Sequence, residues 1–220
     1  MTLDQNDIYD IAKAVVKVIK KEDMMAESTN IANNQKRIKL NSLKNGDVFK
    51  LADRDWIVLS QSICDETCFC ITKDFLLDTQ YFNECDNKWE HSSLRSELDS
   101  MKYEIEEYEI EEGVDPNLIL QYHTRNLMAL DGTNKEICSD KISLLTLDEY
   151  RLYREYLEFP NTSKKLLEWV LLTPVTDSYH SGVCAVSPDG SITTCCCNKK
   201  FNIRPVCTFK SNILVEKVDS

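Results

Sequence analysis

Trp169-Val170-Leu171-Leu172-Thr173-Pro174 is the stretch on which the reading of the fold turns. Four apolar residues and a β-branched threonine make a strand, and Pro174, which has no N–H to give to a ladder, closes it. Gly182-Val183-Cys184-Ala185-Val186 reads as the next strand. Pro188-Asp189-Gly190-Ser191 is a turn signal, and Ile192 to Cys197 returns from it. Asn202-Ile203-Arg204-Pro205-Val206-Cys207-Thr208-Phe209 closes the domain. Short strands punctuated by turns mark this third of the chain as strand-rich.

Working outward, Asn45-Gly46 is a turn, Asp47 to Leu51 a strand, Asp53 to Asp55 a second turn and Trp56 to Leu59 the return, which together predict a β-hairpin. Cys68 to Thr72 is mostly apolar and reads as an internal strand. A short helix is expected from Ser92 or Ser93 through Leu98, with Leu94 and Leu98 on one face. Glu104 to Glu112 is dense in glutamate and reads as a solvated element or loop. Asp140 to Leu145 reads as a strand. Thr146 then caps a helix, with Glu149 at capping-box spacing. The fold class is therefore α+β, a mixed, strand-rich domain.

At the other end, Asp7 to Met25 has the period of an amphipathic helix. Ile8, Ile11, Val15 and Val18 carry the 3-4-3 spacing of a short coiled-coil seam. Residues 22–35 are polar. The expected organisation is an N-terminal helix and linker over 1–35, followed by one recognition-type domain over 36–220. The helix packs on its own domain, joins copies into a homo-oligomer, or docks on a larger assembly.

The 220 residues carry a formal net charge of -11. That sign argues against nucleic-acid binding through a general basic face. No apolar run reaches the ~18 residues of a membrane span, and Asp4, Asp7 and Asp10 do not suit a signal peptide. The localisation expected is cytoplasmic, in a bacterial host cell, or virion-associated. The ten cysteines read as free thiols used as small hydrophobes. Only Cys64 and Cys68 fall within the usual spacing of a zinc ligand pair, so no metal and no cofactor is expected. Phosphate-loop, dinucleotide and nucleophile-elbow patterns are absent.

Arg204 and Arg95 lie among apolar residues and call for carboxylate or carbonyl partners. With Trp56, Trp89 and Trp169 they are the expected structural anchors. Tyr179 and His180 lie in the polar segment between Pro174 and Gly182, and Asn198 and Lys199 lie in the next turn. These four are the candidate ligand-binding residues, since a tyrosine among small polar residues suits a recognition surface.

Four patterns carry a family resemblance. They are Gly46-Asp47-Val48 with Trp56-Ile57-Val58-Leu59; Trp89 with Ser93-Leu94-Arg95 and Leu98; Asp140 to Leu145 followed by Glu149; and Glu168 to Pro174 with Val186, Gly190 and Ile203-Arg204-Pro205-Val206. In this order, over residues 40 to 210, the chain resembles bacterial and phage proteins carrying the domain of unknown function numbered 6273. Leu172 stands where that family usually has an arginine, and Asn202 where it has a glycine. The arrangement also resembles the C-type-lectin-like folds of phage tail adhesins. The resemblance implies a noncatalytic binding or structural module that presents loops to a protein or glycan. Two alternatives stand beside it: an inhibitor of a host protein acting through the acidic face, and an enzyme with a thiol- or carboxylate-based site.

Overall fold

A computed structural model describes residues 37–76, 79–111, 119–133, 135–157, 168–176 and 182–218. The chain divides after Arg37, and the unit Ile38–Ser220 holds the sheets, helices and core. The expected helix over 7–25, its seam Ile8, Ile11, Val15 and Val18, and the polar bridge 22–35 lie outside the described residues.

The strands are β1 (Arg37–Lys39), β2 (Val48–Leu51), β3 (Arg54–Ser62), β4 (Thr67–Thr72), β5 (Gln80–Tyr81), β6 (Leu120–Gln121), β7 (His123–Met128), β8 (Lys135–Asp140), β9 (Ile142–Ser143), β10 (Trp169–Pro174), β11 (Gly182–Val186), β12 (Ile192–Cys196), β13 (Lys200–Phe201), β14 (Val206–Lys210) and β15 (Leu214–Val218). The helices are α1 (Ser93–Glu111) and α2 (Leu147–Tyr153). Strand outweighs helix, 45% to 19%, so the mixed fold is dominated by its sheets. A curled eight-stranded sheet runs β1-β15-β2-β3-β4-β14-β6, with β9 also on β14. β10-β11-β12 form a second sheet, and β7-β8 and β13-β5 form two-stranded ribbons.

The inner strands are apolar at nearly every position because both of their faces are covered. Trp56, Val58, Cys68, Cys70, Cys207 and Phe209 enter one cluster with Leu94, Leu98, Met101 and Ile105 of α1. Their sequence neighbours Ile57, Phe69, Ile71 and Val206 enter a second, with Leu147 and Tyr150 of α2. The second sheet repeats the division. Val170, Leu172, Val183 and Ala185 face the first cluster, while Trp169, Leu171, Cys184 and Val186 face the second. Period-two side-chain alternation feeding two cores gives an unbroken apolar run.

Four expectations are corrected. The β2–β3 turn is Ala52-Asp53, since Leu51 pairs with Arg54. Both turn residues have positive φ, 50° and 54°, as a two-residue turn matched to strand twist requires. The helix expected to stop near Leu98 continues through the glutamate-rich stretch to Glu111. Met101 and Ile105 prolong its buried stripe, and glutamate is a good helix former. Asp140 to Leu145 is not one strand, because Asp140 ends β8 and β9 starts only at Ile142. The closing strand of the main sheet is β15, beyond Phe209, paired with β2.

Candidate functional site

β11 and β12 pair with Gly182 opposite Cys196, which sets the turn after Cys196 beside Gly182. The Val175 N–H donates to the Gly182 carbonyl at 2.9 Å. Buried Asn87 then donates its amide to the Thr176 carbonyl at 3.1 Å and to the Gly182 carbonyl at 2.8 Å. One side chain from a distant segment thus ties the two residues that bracket 177–181. The space at Gly182 is tight, since a Cβ there would fall 3.0 Å from Val175 Cγ2 and the valine would have to shift to admit it. The turn after β7 supports the same place, with Leu130 N–H on the Pro174 carbonyl at 2.9 Å. Hydrogen bonds from Thr133 and Thr176 hold the Asp131 carboxyl below its usual range.

Tyr179 and His180 lie outside the described residues. Asn198 is exposed in the turn beside this neck. The Lys199 ammonium is engaged by Glu168 at 2.8 Å, which raises the lysine pKa and lowers that of the carboxyl. Asn87, missed in the sequence, is a neutral polar residue in a polar section, with no spacing to reveal a carbonyl partner 89 or 95 positions away.

Two thiols near this end, Cys184 and Cys195, are not activated. Burial pushes Cys184 up to about 11. Burial also raises Cys195, and Lys199, 3.9 Å from its sulfur, offsets this only in part. Both are neutral thiols at pH 7, whereas a nucleophilic cysteine needs a depressed pKa. All ten cysteine sulfurs are free. Among the described residues no group of three or more His, Cys, Asp or Glu side chains is placed to hold a metal.

Each expected anchor has a definite seat. Trp56 donates Nε1–H to the Leu51 carbonyl at 3.1 Å and meets Phe209 edge-on. Trp89 Nε1–H and Arg95 Nε–H both donate to Asp140, to its two different oxygens, at 2.8 Å each. Arg204, fully buried between β13 and β14, donates Nε–H to the Thr72 carbonyl at 2.7 Å and lies 5.7 Å from the Trp169 ring centre. Trp169 also meets Tyr150 edge-on.

A further cluster joins residues that the sequence separates. Buried Arg125 of β7 donates Nη1–H to the Leu144 carbonyl at 2.7 Å and to Glu149 Oε2 at 3.1 Å, and Nη2–H to Ser143 Oγ. His123 Nε2 lies 3.6 Å from Glu149 Oε1, its Nδ1 lies 3.2 Å from Thr208 Oγ1, and its ring stacks on Phe69. Glu149 also closes the capping box of α2 with Thr146. Burial pushes the Glu149 carboxyl up, but His123, Arg125 and the Thr146 N–H outweigh it and hold the pKa at about 2. The order Thr208–His123–Glu149 has the form of a nucleophile, a base and an orienting carboxylate. Thr208 is only 5% exposed, on an inner strand of the sheet, so the hydroxyl does not face a substrate and the cluster acts as a pin between β7, α2 and the main sheet.

Residues 65–211 match the family model described as Domain of unknown function (DUF6273). No curated protein matches the chain, and no solved structure does. No helix among the described residues is long and apolar enough to cross a membrane.

Proposed function

We propose, from the premise that this chain belongs to the DUF6273 family, that it is a noncatalytic recognition module of bacterial or phage origin. It presents one end of a rigid sheet framework to a protein or a glycan, in the manner of C-type-lectin-like domains. The observation that carries this reading is the tie made by Asn87. Its amide holds the carbonyls of Thr176 and Gly182 together, so the two points between which the candidate residues Tyr179 and His180 fall in the sequence are fixed to one side chain. Asn198 and Lys199 stand beside those points. Fixed anchor points for a binding segment limit the entropy lost on binding.

The raised thiols of Cys184 and Cys195 favour recognition over thiol chemistry. The test is to screen the immobilised chain against a glycan array and a displayed peptide library. The ligands selected are then measured on a variant whose residues 177–181 are replaced by a Gly-Ser segment of equal length. The expected result is loss of binding with an unchanged unfolding midpoint. Equal binding to both proteins, or no ligand from either collection, overturns the reading.

A further inference from the structure

β12 ends the second sheet, and the bonds made on either side of β11 decide which of its backbone groups face outward. The Ser187 N–H donates to the Ser191 carbonyl at 2.8 Å. Hydrogen-bonded pairs of an antiparallel ladder recur at every second residue, so from there they fall at Ala185 with Thr193 and at Val183 with Cys195. The Val175 N–H on the Gly182 carbonyl, 2.9 Å, has the same phase, because it turns Gly182 toward β10 and away from β12. Thr193 and Cys195 therefore bond inward, and the N–H and carbonyl groups of Ile192, Thr194 and Cys196 point out from the edge. Among the described residues the one bond made to these groups is that of the Lys199 N–H to the Cys196 carbonyl, 3.1 Å. The side chains of Ile192, Thr194 and Cys196 are exposed.

An open edge is a template for another strand, and proteins blunt it with charge, proline or shortness. Other outer strands of the described sheets follow that rule. β1 carries Arg37 and Lys39, β6 has two residues, and β8 carries Glu136 and Asp140. β10, at the other end of the same sheet, gives its outer N–H groups at Val170 and Leu172 to the Asn202 and Leu145 carbonyls. β12 has none of these protections. Ser191 to Cys197 contains no charge, proline or glycine, and Ile192, Thr193 and Thr194 are β-branched, as a strand favours. The charges lie just beyond its ends and have opposite signs. Exposed Asp189 comes before it, and after it come Lys199, paired with Glu168, and exposed Lys200. An antiparallel copy of the same strand brings each sign against its opposite, whereas a parallel copy sets like against like.

We propose that β12 pairs with the β12 of a second copy of this chain, antiparallel about a two-fold axis at Thr194, which joins two three-stranded sheets into one of six strands. In this register every outward residue meets an outward residue. Thr194 faces the partner's Thr194 and exchanges both backbone bonds with it, and Ile192 faces the partner's Cys196. Facing threonines are a favourable cross-strand pair. The net charge of -11 on each chain opposes association at long range, so the contact is weak and depends on the strand itself. The pairing involves no residue of 1–35 and does not rest on the recognition reading above.

The test is sedimentation equilibrium of the full chain under reducing conditions at about 0.15 M salt. The native chain is expected to show a monomer–dimer equilibrium with Kd of about 100 µM, since one strand pair falls below the interface size of tight dimers. Thr194→Lys sets two ammonium groups against each other on the axis and weakens the dimer at least tenfold. Thr194→Pro removes an N–H that β11 does not use and acts on the same scale through the backbone. Thr194→Val keeps the backbone edge and stays within roughly threefold. Unfolding midpoints at about 1 µM, where association contributes nothing, are expected to be unchanged in the Lys and Val variants. The register is read by disulfide trapping in a chain whose exposed cysteines Cys64, Cys85 and Cys196 are replaced by serine. Oxidised glutathione then cross-links Thr194→Cys, whose copies lie about 5.5 Å apart between Cα atoms. It does not cross-link Ile192→Cys, whose copies lie roughly 13 Å apart along the strand. A dimer weakened by Thr194→Lys and trapped through position 194 alone supports the pairing. A native chain that stays monomeric at about 1 mM overturns it and leaves the edge to an extended segment of another protein. A dimer unmoved by Thr194→Lys, or equal trapping at the two positions, also overturns it and assigns self-association to another part of the chain.

Discussion

The β7–β8 ribbon is fixed at its base from two sides, and the two attachments differ in burial. His123 and Asp140 are paired across the ribbon. On the β8 side Asp140 receives Arg95 and Trp89, and Arg95 keeps 30% of its side chain exposed. On the β7 side Arg125 is 5% exposed and meets Glu149, Ser143 and the Leu144 carbonyl, with His123 alongside. The chemistry is the same, an arginine on a carboxylate, but the surroundings are not. The difference lies in the arginines, since Asp140 is 9% exposed and Glu149 17%. Arg95 keeps water as an alternative partner on its exposed side. Arg125 has none, and loss of Glu149 strands it. The β8 attachment therefore sets position, whereas the β7 attachment sets whether the region is folded.

The largest expected effect follows directly. Glu149→Gln keeps the shape of the capping box but leaves Arg125 buried without its counter-charge, and should cost about 3–5 kcal/mol by urea unfolding at pH 7. A cost below that of an Asp140 substitution would remove the distinction between the two attachments. The same pair sets a pH dependence. The Glu149 pKa is about 2 when folded, against an ordinary value of 4.5. Its stabilisation is thus complete above pH 4.5 and is lost as pH falls from there through 2, roughly 3 kcal/mol in all. Urea midpoints from pH 7 down to pH 2 should show this loss in the native chain and a shallower slope in Glu149→Gln. Parallel slopes would assign the acid sensitivity to other carboxylates.

The sequence exposes the two attachments unequally, for a physical reason. The capping box is local, so Thr146 and Glu149 are readable three positions apart, and α2 begins at Leu147 behind the Thr146 cap. Arg95 and Arg204 are readable as needing partners because they lie among apolar residues. The partners are not readable. Asp140 is 45 positions from Arg95, and Arg125 is 24 from Glu149. The run Asp140 to Leu145 looks like one strand because its apolar residues are continuous. The carboxylate that stops β8 does so through Trp89 and Arg95, which no local pattern reports. Likewise β15 leaves no alternation to see, because only Val215 of its five residues is buried. Asn87 gave no signal, being an uncharged side chain whose partners are backbone carbonyls.

Smaller effects sharpen the β8 side of the comparison. Asp140→Asn keeps one carbonyl oxygen for Trp89 or Arg95 and removes the charge, and Arg95 can turn to water. The expected cost is about 1–2 kcal/mol. A loss as large as that for Glu149→Gln would show that exposure of the arginine does not protect this attachment.

The least perturbing change is Trp89→Phe. The ring remains packed in the first core cluster beside Phe82, and only the Nε1–H to Asp140 Oδ2 disappears. Arg95 still occupies Oδ1 at 2.8 Å, so the freed oxygen stays on a carboxylate that keeps its charge partner. The expected cost is about 1 kcal/mol, one hydrogen bond to a charged acceptor less the gain from no longer burying the indole N–H. Combined with Arg95→Met in a double-mutant cycle, the two changes should be non-additive by about 1 kcal/mol, because both donors act on one carboxylate. Additive costs would mean that Trp89 and Arg95 hold the ribbon independently. Asp140 would then no longer be the point at which α1 and β8 are joined.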